Sequence, residues 1–186
     1  MNYTLILASG SPRRKQILSE AGINFLIKPA NIDEENYPSQ LNVHKVPEYL
    51  AKLKAEAIAT TDNEIVLAAD TVVIIDNQIL GKPVDKQEAI SILTQLSGRM
   101  HEVVTGVCLR SKDKTVAFSD TTEVYFRELT SEEIEYYVDN YKPFDKAGAY
   151  GIQEWIGMIG VEKINGSFYN VMGLPIVPVY QQLKNF

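Results

Sequence analysis

The sequence predicts an α/β protein with a mixed β-sheet flanked by helices, on three observations. Short, near-continuous apolar runs such as Thr4–Ala8 and Ile65–Ala69 read as buried strands. Segments with apolar residues at helical spacing alternate with them. No internal repeat, low-complexity tract or Pro/Ser-rich linker interrupts the chain, so a single domain over residues 1–186 is preferred to two tethered ones.

Taken in order, Thr4–Ala8 closes on Ser9-Gly10-Ser11-Pro12, the pattern of a strand feeding a tight turn and then a helix. Ser11 suits the N-cap and Pro12 the first helical position; Ile17, Leu18 and Ala21 form the apolar stripe, and Gly22 is the stop. Phe25–Lys28 reads as a second strand and Asp33-Glu34-Glu35 as an acidic loop. Tyr49, Leu50, Leu53, Ala57 and Ile58 recur at helical spacing and predict a helix over Val46–Thr60. Ile65–Ala69 is expected as a central strand that ends at Asp70-Thr71, before a second run, Val72–Ile75. A turn at Asp76-Asn77-Gln78 returns the chain through Ile79–Pro83 to a helix capped near Asp85 and stopped by Gly98. Val103–Arg110 and Lys114–Phe126, joined by Ser111-Lys112-Asp113, predict a hairpin. Thr130 with Glu133 is a capping box for a helix to Asn140. Glycines interrupt any long element between Pro143 and Gly173, and Pro175 opens a last helix through Leu183.

The chain has 186 residues, 45% hydrophobic and 23% charged, enough to bury a core without disulfide or metal staples. Its net charge of −6 gives no general polyanion-binding surface, so no nucleic-acid partner is expected and any anion site must be built locally. One cysteine, Cys108, and two histidines, His44 and His101, support neither a disulfide, a zinc motif nor a catalytic triad. Cys108 reads as core. The N-terminus carries no basic region before its brief apolar run, so neither a signal peptide nor a membrane partner is expected, and a cytoplasmic setting fits.

Several places can carry chemistry. Arg13, Arg14 and Lys15 crowd the first turn of a helix whose N-terminus is already positive, at roughly 0.3–1 kcal/mol per like charge. With the hydroxyls of Ser9 and Ser11 and free backbone N–H groups, they are what a phosphate chain needs. The bland alternative is that the arginines splay into solvent and Ser11 only caps. Asp70, at the end of a buried strand, is costly unless paired with a cation or a metal; Mg²⁺ suits it, with Glu34 as a second carboxylate. An N-cap or turn role for Asp70 and a solvated loop charge for Glu34 remain open. Lys54 on the polar side of its helix, and Lys82 between Gly81 and Pro83, each read alone as surface lysines. Asp145-Lys146-Ala147-Gly148-Ala149-Tyr150-Gly151-Ile152-Gln153 lets backbone approach a ligand and offers the Gln153 amide, though a tight structural loop has the same composition.

Together these segments, with Leu96-Ser97-Gly98 and Asn170-Val171-Met172-Gly173-Leu174-Pro175, resemble the Maf family of nucleoside triphosphate pyrophosphatases over nearly the whole chain. The resemblance implies an inosine triphosphate pyrophosphatase-like (Maf/Ham1) fold with a cleft between two lobes. It also implies Mg²⁺- or Mn²⁺-dependent hydrolysis of a nucleoside triphosphate to monophosphate and pyrophosphate. By position, Asp70 matches the family's catalytic acceptor. Arg13, Thr71 and Gln153 match positions tied to base choice, and their combination is similar to the subgroup acting on dTTP and UTP rather than 7-methyl-GTP. On this reading Ser9, Ser11, Arg13, Arg14, Lys54, Thr71, Lys82, Lys146 and Gln153 bind substrate, and Glu34 and Asp70 hold metal. A Gln153 amide that both donates and accepts suits the O4 and N3–H edge of uracil or thymine; cytosine shows the reverse pattern. House-cleaning of modified pyrimidine nucleotides and arrest of division are the cellular roles implied. A nucleotide-binding regulator of septum formation without turnover is the alternative, and homodimerisation is left open.

Overall fold

A computed structural model describes residues 3–34 and 36–186; Met1, Asn2 and Glu35 of the acidic loop lie outside the described residues. Strands β1 (Thr4–Leu7), β2 (Leu26–Ile27), β3 (Glu64–Ile75), β4 (Gln78–Leu80), β5 (Met100–Arg110), β6 (Thr115–Phe126) and β7 (Val161–Asn165) alternate with seven helices among the described residues. The helices are α1 (Pro12–Glu20), α2 (Val46–Glu56), α3 (Lys86–Leu96), α4 (Ser131–Tyr141), α5 (Trp155–Gly160), α6 (Phe168–Met172) and α7 (Ile176–Lys184). Hydrogen-bonded neighbours follow the order β2-β1-β3-β5-β6-β7, with β4 on β3. The pairing is mixed: β1 runs parallel to β2 and β3, whereas β4 is antiparallel to β3 and β7 to β6. None of the described helices is long and apolar enough to cross a membrane.

The chain divides into two compact units, each assembled from separated stretches. One comprises Met1–Thr71, Thr105–Asp120 and Gly173–Phe186, the other Val72–Val104 and Thr121–Met172. The first has a core of small side chains. Ala51 and Ala55 of α2 pack with Ile6, Ala8, Val66, Ala68 and Cys108, and burial pushes the Cys108 thiol up to about 11, as expected of a core cysteine. Close approach is enforced at Gly106, where a Cβ would stand 2.2 Å from the backbone of Pro47 and Glu48 at the start of α2. The second unit packs α3 on α4, burying Ala89, Ile92, Leu93 and Leu96 of one and Ile134, Tyr137 and Val138 of the other.

Local chemistry explains most boundaries. Ser11 caps α1 and Asp85 caps α3 through side-chain acceptors, and the Thr130–Glu133 capping box of α4 is complete in both directions. Asp76 and Asn77 have φ of 50° and 60°, the left-handed pair that a two-residue hairpin between β3 and β4 requires. The Gly-rich stretch after Pro143 holds only short elements, α5, β7 and α6, too brief for periodicity to reveal. Two expectations are corrected. The predicted helix to Thr60 stops at Glu56. Asp70 does not end a strand, because β3 runs unbroken from Glu64 to Ile75; its side chain is satisfied by a cation, so the ladder need not yield.

His101, Phe126 and Tyr150 form a buried edge-to-face cluster, and His101 Nε2 lies 2.7 Å from the Tyr150 hydroxyl. Burial pushes the His101 pKa down to about 3 from an ordinary 6.5. The unfolded chain therefore binds this proton more tightly, so the imidazole's contribution is complete above pH 6.5 and is lost as pH falls from there toward 3. One such proton weakens the fold by roughly 2 kcal/mol between pH 6.5 and 5. Urea unfolding followed against pH is expected to show this slope in the wild type and a shallower one in His101→Gln.

Candidate active site

The first unit gathers a cluster of charge at the end of β1. Leu7 pairs with Leu67 of β3, and Ala8 N–H donates to the Leu67 carbonyl at 2.8 Å, which delivers the Ser9–Ser11 turn alongside β3. Pro12 then starts α1, and Ser11 Oγ accepts the Arg14 N–H. Arg14 is the side chain this turn exists to place. Its buried guanidinium donates to the Gly173 carbonyl (2.8 Å), Ser9 Oγ (3.3 Å) and Thr71 Oγ1 (3.1 Å). The Thr71 hydroxyl lies 2.9 Å from that of Thr105 on β5, extending the network. Burial lowers the Arg14 pKa; the Asp70 field opposes this, Arg13 adds to it, and Glu34 opposes it. The cation is thus anchored by neutral acceptors, with no carboxylate bonded directly to it among the described contacts.

The second cation is Lys54. Alone in the sequence it reads as a surface lysine, but it is buried. Its helix is drawn close by Ala51 and Ala55, and its Nζ meets Asp70 Oδ1 at 2.6 Å and Glu34 Oε1 at 2.7 Å. The Lys54 and Asp70 side chains are 7% and 11% exposed, whereas that of Glu34 is 44% exposed. Removing one partner from a buried pair of this kind leaves an uncompensated charge at a cost of about 3–5 kcal/mol. The two carboxylates converge on one point, and no group of three His, Cys, Asp or Glu side chains occurs among the described residues. That point is the Lys54 ammonium; carboxylate oxygens are also the hard ligands that a divalent cation takes together with phosphate oxygens.

Ser9, Ser11, Arg14, Glu34, Lys54, Asp70 and Thr71 are therefore all in the first unit, and half-buried Arg13 sits on the first turn of the same α1. Lys82, Lys146 and Gln153 belong to the second. Lys82 is exposed beyond the end of β4. Lys146 is buried, with Nζ 2.8 Å from Asp145 Oδ1 and 3.2 Å from Glu154 Oε1. Gln153 is half-buried, and its Oε1 is buried without a hydrogen-bond partner among the described residues. It lines a cavity of about 440 Å³ whose apolar walls include Ile152, Met158, Ile164 and Phe168. Sequence reasoning missed Thr105, Tyr137 and Glu154. Helical spacing marks Tyr137 as inward-facing beside Ile134 and Val138, but the bonds of its hydroxyl are tertiary and leave no local signal.

The Maf-like protein family model matches residues 4–186. A dTTP/UTP pyrophosphatase of Parabacteroides distasonis is 50% identical over 186 residues, 99% of this chain and 96% of that protein. A dTTP/UTP pyrophosphatase of Porphyromonas gingivalis strain W83 is 52% identical over 188 residues, covering 99% and 94%. Among solved structures, that of a HAM1 protein from Coxiella burnetii is similar over 67% of this chain and 73% of its own, with 16% identity and a TM-score of 0.45.

Arg14→Lys keeps the charge but replaces a planar fork by a single ammonium that cannot reach all three acceptors. Losing two buried bonds is expected to lower stability by about 1–3 kcal/mol in urea titration. An unchanged midpoint would show that the network does not hold the fold of this unit.

Proposed function

The chain belongs to the Maf family, and we propose that it is a nucleoside triphosphate pyrophosphatase that converts dTTP and UTP to the monophosphate and pyrophosphate. The observation that carries the reading is the buried Lys54 ammonium between Asp70 and Glu34, in the same unit as the Arg13-Arg14 start of α1. Relatives named dTTP/UTP pyrophosphatase, 50% and 52% identical over almost the whole chain, support the substrate class.

In this reading the N-terminus of α1, with Ser9, Ser11 and Arg13, binds phosphate oxygens through hydroxyls, charge and free N–H groups. Arg14 uses three of the five N–H donors of its guanidinium on protein acceptors, leaving two for a phosphate. Water attacks the α-phosphorus; the bond from that phosphorus to the bridging oxygen breaks, and pyrophosphate leaves with the oxygen. Asp70 takes the water's proton. Its Oδ1 is held by Lys54, which fixes the plane of the carboxylate. Asp70 and Glu34 are the residues that would hold Mg²⁺ or Mn²⁺, which supplies neutralisation of phosphate charge and a more acidic water when bound. No covalent intermediate is needed. Lys82 and Lys146 are proposed as further substrate contacts, Thr71 and Arg13 as residues tuning base choice, and Gln153 as the residue whose amide reads the uracil or thymine edge.

Two substitutions test the assignment. Asp70→Asn, which leaves Lys54 with Glu34 as its carboxylate partner, is expected to fold with reduced stability and, in the folded fraction, to lower pyrophosphate release from dTTP and UTP by about 10²–10⁴-fold, the usual worth of a positioned base. Unimpaired turnover would remove Asp70 from the mechanism. Gln153→Ala is expected to lower kcat/KM for dTTP and UTP by about tenfold relative to CTP and GTP. Equal losses across the four nucleotides would take base reading away from Gln153.

A further inference from the structure

We propose that Tyr137 is a positioning residue for base choice, whose hydroxyl clasps both ends of the Gly151–Glu154 turn and so fixes the backbone that carries the Gln153 amide. The inference rests on the reading of Gln153 as the residue that meets the base. The turn is closed by the Glu154 N–H donating to the Gly151 carbonyl at 3.0 Å, with Ile152 and Gln153 at its tip. Tyr137 is fully buried on α4. Its hydroxyl oxygen accepts the Gly151 N–H at 3.1 Å, and its proton is donated to Glu154 Oε2. A single phenol therefore bonds to both residues that end the turn. Burial, reinforced by the Glu154 carboxylate, raises the Tyr137 pKa above its ordinary value, so the hydroxyl stays a donor throughout the neutral range.

The remaining contacts brace the same turn. Glu154 Oε1 lies 3.2 Å from Nζ of the buried Lys146, which holds the carboxylate that Tyr137 bonds to. A Cβ on Gly151 would stand 2.9 Å from both Gln153 Nε2 and the Glu154 carboxyl carbon, so both side chains fold back over this glycine. A Cβ on Gly157 would stand 1.8 Å from the Ile152 carbonyl oxygen, so α5 abuts the tip of the turn. Within that frame Gln153 Oε1 is buried and has no partner among the described residues. A buried acceptor without a donor is unfavourable, and the clasp holds the backbone from which the amide must present its oxygen to an N–H, which N3 of uracil or thymine offers and N3 of cytosine does not.

The experiment compares Tyr137→Phe with Gln153→Ala in the full chain, reading kcat/KM for UTP against CTP and the hydrogen exchange of the Gly151 amide. Phenylalanine keeps the ring that stacks on Tyr141 and removes both bonds. Exchange at Gly151 is expected to quicken by about tenfold or more and the UTP-to-CTP ratio to fall by about tenfold, as for loss of ordering bonds. Glu154→Gln, which still accepts from Tyr137, is expected to keep more of the ratio. Unchanged exchange in Tyr137→Phe would overturn the clasp. Faster exchange with an unchanged ratio, while Gln153→Ala does lower it, would overturn the positioning role alone. A ratio unmoved by Gln153→Ala would remove the base reading itself, and the inference with it.

Discussion

Lys54 puts one buried ammonium group between the buried carboxylate of Asp70 and the more exposed one of Glu34, and the packing of the first unit keeps those charges paired. An isolated charge at that depth is prohibitive, so the separation between α2 and β3 must be short enough for Nζ to reach Asp70. The sequence meets this with Ala51 and Ala55 on the helix, Ala8 and Ala68 beneath them, and Gly106 where α2 begins. A larger residue at any of these places would push the helix outward and strand Asp70 without its cation. The mid-strand position of Asp70 is tolerable for the same reason: the backbone ladder is complete and the side chain has its partner. Arg14 solves a parallel problem differently, spreading one buried positive charge over a carbonyl and two hydroxyls.

The two units hold their polar groups by different physics. Charge is concentrated in the first, where the Lys54 ammonium meets two carboxylates in strong, weakly directional attraction. Directional hydrogen bonding governs the second, where a turn is pinned at its ends and an amide oxygen is left unsatisfied. Discrimination by an unpaired polar group is sharper than discrimination by apolar fit, because the wrong partner leaves a buried acceptor without a donor.

The caps were the most legible part of the sequence. Ser11, Pro12, Asp85 and the Thr130–Glu133 box act within four residues of themselves, so local chemistry is sufficient to place α1, α3 and α4. The apolar runs likewise announced β1 and most of β3. Asp70 misled because a carboxylate inside a buried run looks like a boundary until its cation is known, and the cation lies 16 residues earlier on a helix. The burial of Lys54 was not legible, since nothing in its neighbours distinguishes a buried lysine from a solvated one. Tyr137 and Glu154 were invisible for a related reason: their bonds join α4 to the Gly-rich stretch across 14 to 17 positions. Short α5, β7 and α6 carry too few turns or alternations for periodicity to act on.

The chemistry proposed for Asp70 depends on which phosphorus the water attacks, and isotope placement reads that directly. Hydrolysis of UTP by the wild-type chain with Mg²⁺ in oxygen-18 water, followed by mass analysis of the products, is expected to place the label in UMP and none in pyrophosphate. Label in pyrophosphate, or release of labelled orthophosphate as the first product, would contradict attack at the α-phosphorus and the assignment of the site built around Lys54 and Asp70.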